Sequence, residues 1–351
     1  VTTDEVYIQR CLVLALRGLG HVSPNPMVGA VVVADGRIIG EGWHEICGQA
    51  HAEVNAIAAV EKKYPQDAPA LLSKATIYVS LEPCAHHGKT PPCADVIILK
   101  KIPRVVVGSR DPFEAVNGKG IEKLINAGLD VTYGVLEAEC REFNRRFFTA
   151  VEKRRPWIIL KWAASSDGFL SPLPYHKYWL TSAISTQLVH QWRAQEDSIL
   201  VGKTTALLDD PELTVRNFPG RNPLRLVIDW DLELPPGLKV FNSASPTLIF
   251  NGRRSGENGN LRYIHLEFRE YLVPYLLYQL YMLDVRSVII EGGRSILDLF
   301  IAAGLWDEAR VFTSRVTLHK GLPVPAFNFS PIFIEPSGSD ILRIYRRQDN
   351  P

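Results

Sequence analysis

His51 and Glu53 stand two positions apart, and Cys84 and Cys93 follow them. Together they offer one neutral imidazole nitrogen, two thiolates and a carboxylate that need not be a ligand. A catalytic zinc centre requires that inventory: three protein donors, a position left for water, and a general acid/base beside it. Taken singly, none of the four is informative. A cysteine is commonly a small buried hydrophobe, and a histidine at a helix start is commonly a cap. Their meaning comes from the elements that carry them.

Val28 to Val33 and Ile38 to Glu41 flank Asp35-Gly36 and read as a β-hairpin. His51 to Lys63 reads as a helix with Ala52, Ala56, Ile57 and Val60 on one face. Ala75 to Leu81 reads as a strand that delivers Glu82, Pro83 and Cys84 at its end, and Cys93 opens the next helix. Ligands at helix N-termini gain from the helix dipole, which favours thiolate over thiol. Zinc-dependent nucleobase deaminases combine an H-x-E signature with a later P-C-x-x-C. Here eight residues, Ala85 to Pro92, separate the two cysteines. That loop includes His86 and His87 and is long enough to reach over a metal and touch a substrate.

With 351 residues the chain exceeds one ordinary domain, and a hydrophobic fraction of 46% is ample for packed cores. The net charge of +1 and the lack of a Lys/Arg run argue against a nucleic-acid partner. No charged segment leads into an apolar signal region, and no apolar run approaches the length of a membrane span, so no membrane partner is expected. Five cysteines, an odd number that includes the proposed ligands, suit a reducing compartment. A cytoplasmic protein is expected.

Two α/β domains are predicted, residues 1–150 and 151–351. The first begins with a helix near residues 4–18. After the cysteines come a strand at Arg104 to Gly108, a helix at Lys119 to Ala127 and a strand at Asp130 to Tyr133. A charged helix then runs from Glu137 to Arg155, where Pro156 stops it. In the second half strands are expected at Trp157 to Lys161, Ser198 to Val201, Leu224 to Ile228, Thr247 to Phe250 and Ser287 to Glu291. Helices are expected at Ser182 to Gln195, Leu272 to Leu283 and Ser295 to Ala303, with a solvated loop at Ser255 to Asn260. Glu291-Gly292-Gly293-Arg294-Ser295 lies at a strand-to-helix junction, where backbone N–H groups can approach a phosphate; an ordinary turn would read the same. Gly202-Lys203-Thr204 mimics the end of a P-loop, but Asp197 replaces its first glycine. No G-x-G-x-x-G occurs either.

Several strings now converge: Asn25-Pro26-Met27-Val28-Gly29, His51-Ala52-Glu53, Leu81-Glu82-Pro83-Cys84 through Cys93, and Arg110-Asp111-Pro112. In the second half they are Lys161 to Gly168, Trp179-Leu180-Thr181-Ser182, Asp209 to Thr214 and Glu291-Gly292-Gly293. Their order and spacing resemble the bifunctional deaminase/reductase family of riboflavin biosynthesis over nearly the whole chain. The resemblance implies a cytidine-deaminase-like three-layer domain followed by a dihydrofolate-reductase-like domain, with Zn2+ and NADPH as cofactors. It implies a small phosphoribosylaminopyrimidine substrate, whose ring amine is hydrolysed before its ribosyl group is reduced to ribityl. His51, Cys84 and Cys93 would hold the metal, Glu53 would move protons, and Asn25 would fix the pyrimidine edge. His44, His86 and His87 are candidates to contact the base or phosphate, and surface loop histidines would read the same. Cofactor contacts fall on Ala163, Trp179, Thr205, Asp209, Gly293, Arg294 and Ser295. Substrate contacts fall on Arg193, Arg216, Glu291 and Lys177, and a homo-oligomer is expected.

The chain departs from the family at Ser171 to Tyr178, where Lys177 occupies the place of a serine, at Trp162, where a small residue is usual, and at Gly321 to Pro325. Three other readings follow from the same residues. The C-terminal half could be a non-reducing structural domain, the substrate could be a base in nucleic acid, or the zinc could be structural, with His86 or His87 as a fourth ligand.

Overall fold

Asp35 and Gly36 both take left-handed backbone angles, φ 51° and 70°, the geometry of a two-residue turn whose twist matches its flanking strands. They join β1 (Gly29–Ala34) to β2 (Arg37–Trp43), with Ala34 opposite Arg37. In the computed structural model, which describes residues 1–85 and 91–347, two units separate between Lys153 and Arg154.

In the first unit α1 (Thr3–Ala15) precedes the hairpin. After it come α2 (Ala52–Lys63), α3 (Ala68–Leu72), β3 (Thr76–Leu81), α4 (Cys93–Leu99) and β4 (Arg104–Ser109). The unit ends with α5 (Lys119–Asn126), β5 (Asp130–Tyr133), α6 (Glu137–Phe143) and α7 (Arg145–Lys153). The sheet order is β2-β1-β3-β4-β5; β1 is antiparallel to both neighbours, and β3, β4 and β5 are parallel. Every residue of β1 is buried, because successive side chains point to opposite, covered faces. Ala30 and Val32 pack with Ala56, Ile57 and Val60 of α2 and Ile97 of α4. Val31 and Val33 pack with Ile8, Cys11 and Leu14 of α1. The result is three layers. The single helix expected from Glu137 to Arg155 is instead two, meeting at Asn144 and ending at Lys153. The side-chain amide of Asn144 bonds to the backbone of Met27 at that break.

The second unit begins with β6 (Trp157–Ala164), β7 (Phe169–Pro172), α8 (Ala183–Gln195), β8 (Ser198–Gly202), α9 (Lys203–Asp209) and β9 (Leu224–Ile228). It continues with β10 (Thr247–Asn251), β11 (Gly256–Asn258), β12 (Leu261–His265), α10 (Leu272–Met282), β13 (Ser287–Ile290) and α11 (Arg294–Ala303). The last strands are β14 (Glu308–Thr313), β15 (Gly321–Pro323), β16 (Phe333–Ser337) and β17 (Asp340–Arg346). Among the described residues the main sheet has the order β11-β12-β10-β9-β8-β13-β6-β14-β17-β16, parallel from β12 to β14 and antiparallel at its flanks. β7 and β15 form a separate pair. α10 and α11 cover one face through Leu276, Leu280, Leu297 and Phe300, and α8 and α9 cover the other through Val189, Trp192 and Ala206. A fully buried side chain such as Phe300 contributes about 2 kcal/mol relative to exposure. The expected solvated loop at Ser255 to Asn260 holds β11, which pairs with β12 in a hairpin. Its residues are all exposed, so burial left no alternation to read.

Candidate functional site

β3 ends at Leu81, and Pro83, which cannot donate to a ladder, delivers Cys84 just beyond it. The backbone N–H of Glu82, just past the end of β3, donates to Ser109 O at 2.9 Å. The buried Glu82 carboxylate then accepts from the backbone N–H groups of Asp111, Gly118, Gly120 and Ile121 at 3.2, 3.0, 3.0 and 3.2 Å. A Cβ on Gly120 would sit 2.0 Å from Pro83 O, so only glycine allows this approach. Glu82 therefore ties the start of α5 to the strand end that presents the cysteine. An acid directly before Pro-Cys at a strand end was the signal for it, and its role went unread.

His51 is the N-cap residue of α2, yet its side chain makes no capping hydrogen bond. The imidazole faces the cysteines instead. His51 Nδ1 lies 3.6 Å from Cys84 Sγ and 3.3 Å from Cys93 Sγ, and the three donor atoms lie within 4.8 Å of one another. Cys93 is the first residue of α4. Its N–H donates to Cys84 Sγ at 3.2 Å, and Ala94 N–H donates to Cys84 O at 3.2 Å. Hydrogen bonding by Cys93, and then by His51, lowers the Cys84 thiol to about 4 against the cost of burial. The shared contact with Cys84, and then burial, raise Cys93. One imidazole nitrogen and two soft sulfurs converging at these distances fit zinc, with a coordination position left over.

Glu53 follows in the first turn of α2 and is 3% exposed. Burial raises its carboxyl to about 7, with the His51 charge opposing and Cys84 adding. A carboxyl poised there can both accept and return a proton. His44 packs edge-on to His51, with ring centroids 5.4 Å apart. His44 Nδ1 lies 3.1 Å from Ala50 O, and its Nε2 lies 3.1 Å from Asn25 Nδ2. A carbonyl can only accept, so Nδ1 carries the proton and Nε2 accepts from Asn25. This assignment fixes the Asn25 amide, whose NH2 is committed to His44 while its oxygen remains an acceptor. His86 and His87 lie outside the described residues.

In the second unit Glu291 and Gly293 follow the carboxyl end of β13, and α9 with Thr205 follows that of β8, the end at which open α/β sheets bind ligands. Glu291 directly follows β13, and its N–H donates to Leu200 O at 3.0 Å. Arg193, in the last turn of α8, donates from Nη2 to Glu291 Oε2 at 2.7 Å. Lys161 on β6 brings its ammonium to 3.9 Å from Glu291 Oε1. Burial pushes the Glu291 carboxyl up, but the Arg193 and Lys161 charges outweigh it and hold it at about 2. Burial pulls the Lys161 ammonium down, opposed by Glu291. Glu291 Oε1 and Arg193 Nε are buried without a hydrogen-bond partner among the described residues. Lys161 was missed as a site residue, although a lysine inside the apolar run from Trp157 was visible.

Arg193 Nη1 also donates to Thr214 O at 3.3 Å, and Arg216 donates to Thr214 Oγ1 at 3.1 Å and to Glu212 Oε2 at 2.9 Å. Arg216 N–H donates to His190 Nδ1 at 3.1 Å. Burial, then Arg193 and Arg216, lower that imidazole to about 4 and keep it a neutral acceptor. Gly293 is the N-cap of α11, and its N–H donates to Thr205 Oγ1 of α9 at 2.8 Å. Arg294 pairs with Asp298 at 3.2 Å, and Ser295 is exposed. Asp209 ends α9; its carboxylate accepts from Tyr175 Oη, and its backbone oxygen accepts from Lys177 Nζ at 2.9 Å. Trp179 is 68% exposed. Ala163 packs with the α8 face of the sheet, and Trp162 with the opposite face, edge-on to Phe327 at 5.1 Å. The unusual tryptophan therefore lies on the other side of the sheet from Ala163.

Residues 1–109 match the family model described as the cytidine and deoxycytidylate deaminase zinc-binding region, and residues 156–318 match the RibD C-terminal domain. Riboflavin biosynthesis protein RibD of Aquifex aeolicus is 39% identical over 326 residues, covering 92% of this chain and 89% of that protein. The protein of the same name from Escherichia coli K12 is 35% identical, with 88% and 87% covered. Among solved structures, a diaminohydroxyphosphoribosylaminopyrimidine deaminase/5-amino-6-(5-phosphoribosylamino)uracil reductase from Thermotoga maritima superimposes with a TM-score of 0.88 at 37% identity, covering 98% of each chain. Acinetobacter baumannii RibD, form 1, gives a TM-score of 0.87 at 30% identity, with 98% and 99% covered. Likeness of this extent runs through both units, and by it the chain belongs to the RibD family of riboflavin biosynthesis proteins.

Proposed function

We propose that both reactions run on this chain's own residues in the roles that follow. The protein is a zinc-dependent deaminase and an NADPH-dependent reductase of the riboflavin pathway. Its substrate is the diaminohydroxyphosphoribosylaminopyrimidine, whose ring amine becomes a carbonyl before the ribosyl group becomes ribityl. The division of labour is residues 1–150 for deamination and 151–351 for reduction.

Zinc held by His51, Cys84 and Cys93 supplies the Lewis acidity that makes water a competent nucleophile near neutral pH. Glu53 takes one proton from the attacking water and gives it to the ring nitrogen, then takes the second from the new hydroxyl and gives it to the amine, which leaves as ammonia and leaves the carbonyl behind. The free oxygen of Asn25 accepts from an N–H on the pyrimidine edge, held in place by His44. The observation that carries this reading is the convergence of three metal donors beside one buried carboxyl poised near neutrality.

NADPH supplies the reducing equivalents for the second step. The turn at Gly293, Arg294 and Ser295 and the α11 N-terminus receive its pyrophosphate, with Ala163, Trp179, Thr205 and Asp209 lining the rest. Glu291, with one oxygen lacking a hydrogen-bond partner among the described residues, accepts from a ribosyl hydroxyl, and Arg193 holds it there. Arg216, the more exposed arginine, takes the phosphate through charge-assisted hydrogen bonds. Lys177 uses one donor on Asp209 and keeps two for substrate.

The near-neutral charge supports a small-molecule substrate rather than nucleic acid. Among the described residues no helix is long and apolar enough to cross a membrane. A cytoplasmic homo-oligomer is the assembly we propose. Incubating the purified chain with the diaminopyrimidine, with and without NADPH, and identifying the products by mass tests the whole reading. The expected result is deaminated ribosyl product without NADPH and ribityl product with it. An unchanged substrate in both arms overturns it.

A further inference from the structure

We propose that Asn144 is a positioning residue for deamination: it fixes the backbone from which Asn25 meets the pyrimidine. The proposal rests on the reading of Asn25 given above. Asn144 stands between α6 and α7 and is 3% exposed. Its Oδ1 accepts from Met27 N–H at 2.9 Å, and its Nδ2 donates to Met27 O at 2.9 Å, across 117 residues of sequence. A single side chain thus satisfies both backbone groups of one residue, as a neighbouring strand would.

The segment held in this way leads directly to the site. Two residues before Met27, Asn25 N–H donates to Val22 O at 2.9 Å, and Asn25 Nδ2 meets His44 Nε2 at 3.1 Å. One residue after Met27, Val28 O accepts from His44 N–H at 2.9 Å. The Met27 side chain packs with Ala15, Val22 and Phe143, the last being the sequence neighbour of Asn144. Asn25 and His44 are therefore brought together by a loop whose middle residue is clamped by Asn144.

Asparagine is required chemically. The contact needs a donor and an acceptor on one short planar group, which alanine lacks and an ionised aspartate only half supplies. Buried backbone groups left unpaired are destabilising. The loop escapes that cost by moving, and small displacements of a binding group can cost about a hundredfold in rate.

The test uses the full-length zinc-loaded enzyme in four forms: wild type, Asn144→Ala, Asn25→Ala and the double variant. Metal content is measured, together with deaminase KM and kcat and reductase turnover on the deaminated substrate. For Asn144→Ala the expected result is a fall in deaminase kcat/KM of about tenfold or more, carried mainly by KM. Zinc content and reductase turnover should stay at the wild-type level. In the Asn25→Ala background the same substitution should add less than about twofold, because the two residues act through one contact. Asn144→Asp, which keeps the acceptor for Met27 N–H, should restore part of the loss, and it carries the same test if the alanine variant does not fold. An unchanged kcat/KM in Asn144→Ala overturns the proposal, as does an undiminished effect in the Asn25→Ala background or a loss of zinc. If Asn25→Ala alone leaves deamination intact, the role given to Asn25 fails instead.

Discussion

Arg193 Nη2 donates to Glu291 Oε2 over 2.7 Å, joining the last turn of α8 to the carboxyl end of β13. Both side chains are only 11% exposed, and Lys161 adds a second positive charge 3.9 Å from the other carboxylate oxygen. An anion so held stays ionised throughout the working range of the enzyme. Its pKa falls from 4.5 to about 2 on folding, so it stabilises the native state above pH 4.5. That stabilisation is lost as the pH falls from 4.5 through about 2. Glu291→Gln should therefore flatten the acid limb of stability against pH in that window, read by denaturant melts of wild type and variant. It should also destabilise the second unit by about 3 kcal/mol at neutral pH, since Arg193 is left buried beside Lys161 without a carboxylate. An acid limb identical to wild type would show that the pair contributes nothing to folding.

Glu53→Gln should abolish deamination and leave the metal in place. The carboxyl is given the role of proton carrier, so turnover should fall by roughly a hundredfold or more while zinc stays near one per chain. Metal analysis beside an ammonia-release assay reads both. Zinc missing from this variant would make Glu53 a ligand and remove its assigned role.

Cys84→Ser and Cys93→Ser should each release zinc and silence deamination, and reduction of the deaminated substrate should continue at the wild-type rate. The metal donors all belong to the first unit, and the Arg193–Glu291 site to the second. Loss of NADPH oxidation together with the metal would contradict the assignment of one activity to each half.

Gly293→Val should weaken NADPH binding. A Cβ at this position already meets Thr205 Oγ1 at 3.1 Å, so a branched side chain forces apart the α11 N-terminus and α9. Fluorescence titration with NADPH should show a dissociation constant raised by about tenfold or more, with deamination untouched. An unaltered constant would move the pyrophosphate site away from this turn.

The metal donors were legible in the sequence because each sits where a strand or helix ends, and local pattern marks such ends. Asp35-Gly36 announced the hairpin, the apolar spacing of Ala52, Ala56 and Val60 announced α2, and Pro83 announced the end of β3. The fold then needed only to turn those ends toward one another. The hairpin at Gly256 to His265 escaped notice because its first strand is exposed throughout and carries no alternation. The Glu137 helix was read too long because its residues are individually good helix formers. What breaks it is a hydrogen-bond partner at Met27, which helix propensity does not register.

Residue type and spacing by themselves determined which imidazole, two thiols and adjacent carboxyl would form the centre, because each stands at an element end that local conformation over a few residues marks. Only the tertiary structure decided that Glu82 would accept four backbone N–H groups and that Lys161 would face Glu291. It also decided that Asn144 would clamp Met27. Those relationships join groups far apart in the chain, and the packing of the three-layer unit and of the ten-stranded sheet brings them within hydrogen-bonding or ion-pairing distance. Geometry of that kind depends on the closure of the whole core, which short-range preferences do not encode.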